Sequence, residues 1–127
     1  MQDRLTFKYA IIRMVPKVER GEFFNIGVIL YCQRKKFLDM KFHIHPDKLG
    51  SFAPEVGAET LMDHLNAWKS IGAGEPGSGP IGALDPSERF GWLTAKRSTI
   101  LQSSQTHTGL CEDPQKELDC LFEKFVL

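Results

Sequence analysis

From Leu5 to Met14 apolar and polar residues alternate, with Leu5, Phe7, Tyr9 and Ile11 on one side and Thr6, Lys8 and Ala10 on the other. That two-residue period predicts a strand. Arg13 interrupts its apolar side. A second run, Phe23 to Tyr31, puts Phe24, Ile26, Val28 and Leu30 at even positions and Phe23, Asn25, Gly27, Ile29 and Tyr31 at odd ones. It predicts the central strand of the domain, with one face buried. Val15-Pro16-Lys17-Val18-Glu19-Arg20-Gly21 reads as the hairpin loop between the two strands, because Pro and Gly both favour turns. Matching the apolar faces places Ile11 opposite Phe24, Tyr9 opposite Ile26, Phe7 opposite Val28 and Leu5 opposite Leu30. Arg13 then meets Glu22, an ion pair at the loop end of the core-facing side, where a lone charge would be costly.

A basic turn, Gln33-Arg34-Lys35-Lys36, leads to a third alternating run, with Leu38, Met40, Phe42 and Ile44 inward and Asp39, Lys41, His43 and His45 outward. Pairing Leu30 with Leu38 and Val28 with Met40 makes a meander and sets His43 beside Asn25, near Phe23 and Tyr31. That outer face is partly apolar, so either the later chain or a partner is expected to cover it.

His45-Pro46-Asp47 ends the strand and can open a short helical turn. Ala58 to Ile71 carries Leu61, Met62, Leu65 and Trp68 at helical spacing, stopped by Gly72 and Gly74. Residues 72–87 are rich in Gly and Pro and are expected to form a flexible surface loop. Glu88 to Leu93 predicts a helical turn docking Phe90, Trp92 and Leu93, and Ser98 to Gln102 a short strand. The last helix has Asp113 as its cap, Pro114 in its first turn, and a stripe of Leu118, Leu121, Phe122 and Phe125. The expected fold is α+β, one domain over residues 1–127: a three- to four-stranded antiparallel meander sheet with helices packed on one face.

The chain has 127 residues, 42% hydrophobic and 25% charged, with no apolar run long enough to span a bilayer. No membrane segment is expected. The N-terminus lacks a signal-peptide pattern and three cysteines suit reduced thiols, so the expected location is cytoplasmic. Net charge is zero, yet residues 1–50 hold ten Lys or Arg against five Asp or Glu, and the remainder six against eleven. Without a dense basic cluster, nucleic acid has little support as the main partner.

Chemistry is thinly signalled. Gly72-Ala-Gly74-Glu-Pro-Gly77 and Gly77-Ser-Gly79-Pro-Ile-Gly82 match the dinucleotide fingerprint in spacing, but a helix precedes them and Pro76 and Pro80 interrupt, so no cofactor is expected. His43 and His45 share a strand face, but the local sequence supplies no third ligand, and no metal site is expected. Cys111 lies just before the last helix with His107 four residues upstream, the minimum for thiol catalysis, although Glu112 and Asp113 oppose a thiolate. Thr94 to Ser104 holds Lys96, Arg97, Ser98 and several further hydroxyls, groups suited to phosphate or carboxylate, or to a protected edge strand.

Tyr9-Ala-Ile-Ile-Arg13-Met-Val-Pro16, followed by Glu19-Arg20-Gly21-Glu22-Phe23-Phe24-Asn25-Ile26-Gly27-Val28, resembles the N-terminal signature of a bacterial family catalogued as domain of unknown function 3037. Trp92 to Ser98 and Gly109 to Pro114 resemble its C-terminal part. The resemblance implies no defined activity; at most it suggests an accessory role beside a HipA-like kinase. Two functions are therefore expected in order: a non-catalytic interaction or regulatory module, binding a protein partner or itself through the sheet's outer face; then a small anion- or nucleotide-binding domain or enzyme. The second would hold a small anionic ligand with Arg13, Arg20, Glu22, Asn25, Arg97 and Ser98.

Overall fold

The computed structural model describes residues 4–15, 23–45, 47, 58–96 and 101–127. Its strands are β1 (Leu5–Met14), β2 (Phe24–Cys32), β3 (Phe37–Phe42), β4 (Leu101–Ser103) and β5 (His107–Cys111). Its helices are α1 (Ala58–Ala73), α2 (Pro86–Leu93) and α3 (Pro114–Phe125), with a 3-10 turn at Ile81–Ala83. The α+β class and the antiparallel meander are as expected, with five strands instead of three or four, in the order β3-β2-β1-β4 with β5 also paired to β1.

β4 and β5 share one edge of β1. β4 pairs with Ile12 to Met14 and β5 with Leu5 to Tyr9, so the two are successive halves of one interrupted strand. Ser104 holds the interruption. Its amide donates to Ile11 O at 2.8 Å, and its hydroxyl accepts from Ile11 N at 2.9 Å and donates to Gln105 O at 2.9 Å. The hydroxyl thus replaces the ladder carbonyl that the kink has turned away, and it is buried.

The β1–β2 register differs from the expected one. Ile11 lies opposite Val28 and Tyr9 opposite Leu30, four residues from the prediction, while Arg13 faces Asn25 and Met14 faces Phe24. An even offset preserves the faces, which is why alternation alone could not reveal it. Between Ile12 and Arg13 the register shifts: Ile12 faces Gly27 and Arg13 faces Asn25, leaving Ile26 as the extra residue of a bulge. The bulge splits the expected apolar set. Phe24 and Ile26 pack with Ala10, Ile12, Met14, Ile29 and Met40, whereas Val28 and Leu30 pack with Leu5, Phe7 and Ile11. The β2–β3 pairing is accordingly one residue from the expected one, with Leu30 opposite Asp39 and Val28 opposite Lys41. A Cβ on Gly27 would lie 2.7 Å from Lys41 O and 3.0 Å from Phe42 Cβ, so only glycine lets β3 approach so closely beside the bulge.

Both faces of the sheet are covered, which corrects the expectation of helices on one. Leu61, Leu65 and Trp68 of α1 and Phe90 and Leu93 of α2 join the first cluster, and Leu118, Leu121 and Phe122 of α3 join the second. The partly apolar outer face is thus closed by the chain's own helices, Ile29 and Tyr31 packing with α1 and α2 and Asn25 bonding to the end of α3. α1 ends where expected, with the amides of Gly74 and Glu75 returning to Ile71 O and Ser70 O at 3.0 and 3.1 Å. Asp113 caps α3, accepting from Gln115 N at 3.0 Å and Lys116 N at 3.4 Å. Trp92 departs from the predicted core at 37% exposure, because α2 turns only Phe90 and Leu93 inward. The expected strand at Ser98–Gln102 appears as Leu101–Ser103, its first residues lying outside those described, and of the helical turn expected after Pro46 only Asp47, which is helical, is described. None of the described helices is long and apolar enough to cross a membrane.

Candidate functional site

Of the six residues proposed for an anion site, the structure brings two together. Arg13 and Asn25 are register partners on β1 and β2, on the face that α3 covers. Arg20, Glu22, Arg97 and Ser98 lie outside the described residues. The Arg13 guanidinium stacks over the exposed Phe23 ring, Cζ 4.2 Å from its centroid, and among the described residues no group accepts from its buried Nε. Asn25 Nδ2 donates to Phe125 O at 3.1 Å, satisfying a carbonyl at the end of α3.

The thiol candidate lies at another corner. Cys111 lines a cavity of about 540 Å³ with Arg4, Leu110, Glu112, Asp113, Lys116, Glu117 and Cys120. Glu112 also lines a smaller one of about 190 Å³ with Leu5, Arg34 and Lys35. Burial pushes the Cys111 thiol above its ordinary pKa, helped by Cys32 and then by the carboxylates of Glu117 and Asp113. It is therefore a poor nucleophile near neutrality. His107 does not reach it: four residues along a strand is about 13 Å, and its ring packs on Tyr9 at 5.2 Å. The extended backbone thus keeps this Cys and His apart.

His43 and His45 meet edge to face, centroids 4.4 Å apart, and His45 Nε2 lies 3.4 Å from Val126 O. Among the described residues no group of three or more His, Cys, Asp or Glu could hold a metal ion.

The two edges of the sheet differ in backbone chemistry. His43 N donates to Ile26 O at 2.7 Å. Counting by two along the antiparallel ladder, Lys41, Asp39 and Phe37 turn their amides toward β2, and Leu38, Met40 and Phe42 turn theirs outward. One of those outward amides is already used, because Met40 N donates to Asp39 Oδ1 at 2.8 Å. Lys41 Nζ, 3.0 Å from Asp119 Oδ1, ties the same strand to α3, and this contact, with Gln115, holds the Asp119 carboxyl below its ordinary pKa.

At the opposite edge, the exchange between Ile11 and Ser104 directs the odd residues of β1 toward β4 and β5. Their partners Cys111, Gly109 and His107 face inward, so Thr108 and Leu110 present N–H and C=O outward. No strand lies beyond β5 among the described residues. Leu110 is 58% exposed, and Gly109 lies under the Phe7 ring, whose Cζ would be 2.7 Å from a Cβ there. Sequence reasoning missed this edge: only the alternation of His107, Gly109 and Cys111 with Thr108 and Leu110 signals it, and its glycine weakens the pattern.

These features define a small α+β protein whose antiparallel sheet is covered by helices on both faces and has no strand beyond β5 among the described residues. The chain belongs to the family described as "Protein of unknown function (DUF3037)", which matches residues 9–126. No curated protein and no solved structure matches it.

Proposed function

We propose that this protein is a non-catalytic interaction module that takes up an extended segment along the β4–β5 edge. The observation that carries this reading is the outward backbone of Thr108 and Leu110 beside the exposed Leu110 side chain. The surface differs from the one expected from sequence, because helices cover both faces of the sheet. A thiol held protonated in the nearby cavity argues against nucleophilic catalysis there. A HipA-like kinase is the partner class that the family resemblance suggests, and three free cysteines are consistent with a cytoplasmic setting. Selection of extended peptides from a random library on the full chain tests the reading. Bound peptides should slow amide exchange at Thr108 and Leu110 and lose binding in Leu110→Lys. Binders that protect only other segments and ignore that substitution would overturn it.

A second reading, a small anionic ligand held at Arg13 and Asn25, is favoured by the buried Arg13 Nε that no described group accepts from. Arg20, Glu22, Arg97 and Ser98 would complete that site. Phosphate, carboxylates and nucleotides in a thermal-shift panel should raise the melting temperature of the native chain and not of Arg13→Gln. No shift with any compound removes this reading.

A further inference from the structure

Resting on the open-edge reading, we propose that the occupant of the edge is a second copy of this chain, its β5 pairing antiparallel with the first about a twofold axis through Gly109. The register follows from parity. Within β5 only Thr108 and Leu110 turn their backbone outward, and pairing each with the other's counterpart in the partner uses both and overlaps all five strand residues. Centring the axis on Thr108 or on Leu110 shortens the overlap. The arrangement makes about four interchain backbone hydrogen bonds and joins the two sheets into one.

Three features of the edge suit a copy of itself. Gly109 meets the partner's Gly109 at a non-hydrogen-bonded position, where strands approach most closely and side chains crowd. The Phe7 ring already lies over Gly109, so the two Phe7 rings converge above the glycine pair. On the other face each exposed Leu110 packs beside the partner's Thr108, and each Lys8, the register neighbour of Thr108, ends across from the partner's Leu110. Lys8 therefore avoids its counterpart.

The third feature is charge and shape at the cavity. The same register carries the partner's Gln105 and Thr106, from the exposed kink after Ser104, to the level of Asp113 and Glu112 at the mouth of the 540 Å³ cavity. It also sets the partner's His107 opposite Cys111, next to the carboxylates of Glu112, Asp113 and Glu117. An imidazole thus meets a corner where Glu112, Asp113 and Glu117 outnumber Arg4 and Lys116 in both copies, while the strand itself carries no formal charge. The β3 edge has no such self-match, because Asp39 occupies its central outward amide.

Sedimentation velocity of the full chain over a concentration series, with amide exchange at each concentration, tests the inference. A monomer–dimer equilibrium in the micromolar range is expected, with exchange at Thr108 and Leu110 slowing as dimer forms. Leu110→Lys, at an exposed position that leaves the fold intact, should weaken the dimer by about tenfold or more. Leu127→Lys, an exposed position elsewhere, should leave it unchanged. A dimer that ignores Leu110→Lys, or that protects other amides, overturns the pairing. A chain that stays monomeric, yet shows Thr108 and Leu110 protected by a foreign extended peptide, overturns self-pairing and leaves the open-edge reading standing. A monomer whose edge amides no peptide protects overturns both.

Discussion

The two edges of this sheet solve the same problem in different ways. At β3, Asp39 folds back onto the outward amide of Met40, and the contact of Lys41 with Asp119 fastens the strand to α3. At β4–β5 the chain is kinked at Ser104, and beyond the kink Thr108 and Leu110 carry their backbone groups into the open with a bare leucine beside them. The difference lies in side chains, because both edges consist of short antiparallel strands. One carboxylate in the right place closes an edge, and its absence leaves a template for another strand.

Substitutions that break this contrast should rank by what the new atom meets. Gly27→Ala drives a Cβ against the backbone of Lys41 and Phe42, which cannot yield without lifting β3 off β2. A loss of about 3 kcal/mol is expected in urea denaturation. Ser104→Ala leaves the buried Ile11 amide without its hydroxyl acceptor and should lose about 2 kcal/mol, loosening β4 from β5. Gly109→Ala meets only the far end of the Phe7 ring, which can swing, so about 1 kcal/mol is expected. Asp39→Ala should lose less than about 1 kcal/mol in the same assay, yet raise self-association by opening the β3 edge. Light scattering above that of the native chain at equal concentration would reveal it, and scattering equal to the native chain's would show that Asp39 closes nothing.

Acid and alkali should weaken the two edges separately. Asp119 has its pKa lowered in the folded chain, first by the Lys41 hydrogen bond, so its contribution is present above about 3.8 and fades as pH falls below that value. Cys111 has its pKa raised by burial, so its contribution is complete below about 9.0 and is lost as pH rises beyond it. Denaturation midpoints should fall at both extremes. Lys41→Met should flatten the acid limb and Cys111→Ala the alkaline one.

Much of this architecture was legible in the sequence. The first half of β1, α1 and α3 carry clean periods because each has one apolar side, whereas β1 is buried on both faces from Ala10 to Ile12; the Asp113-Pro114 cap announces α3. The β1–β2 and β2–β3 registers were not. β2 is buried on both faces, so its run from Ile26 to Leu30 is continuously buried and shows no break where Ile26 bulges. The structure pairs Arg13 with Asn25, whereas the register expected from sequence gave Arg13 Glu22 as its partner and set Asn25 on the other face. The corner cavity stayed hidden because Arg4, Leu110 and Lys116 come from three elements that only tertiary packing unites. The open edge was hidden for a simpler reason: five residues with a glycine at their centre carry too little pattern to be read as a strand.

The inequality of the edges is tested most directly by residue-level amide exchange on the dilute, monomeric chain. Thr108 and Leu110 should exchange freely while Gly109 between them and Met40 on the far edge are protected, the first by β1 and the second by the Asp39 carboxylate. Slow exchange at Thr108 and Leu110 in the monomer, or fast exchange at Met40, would contradict the account.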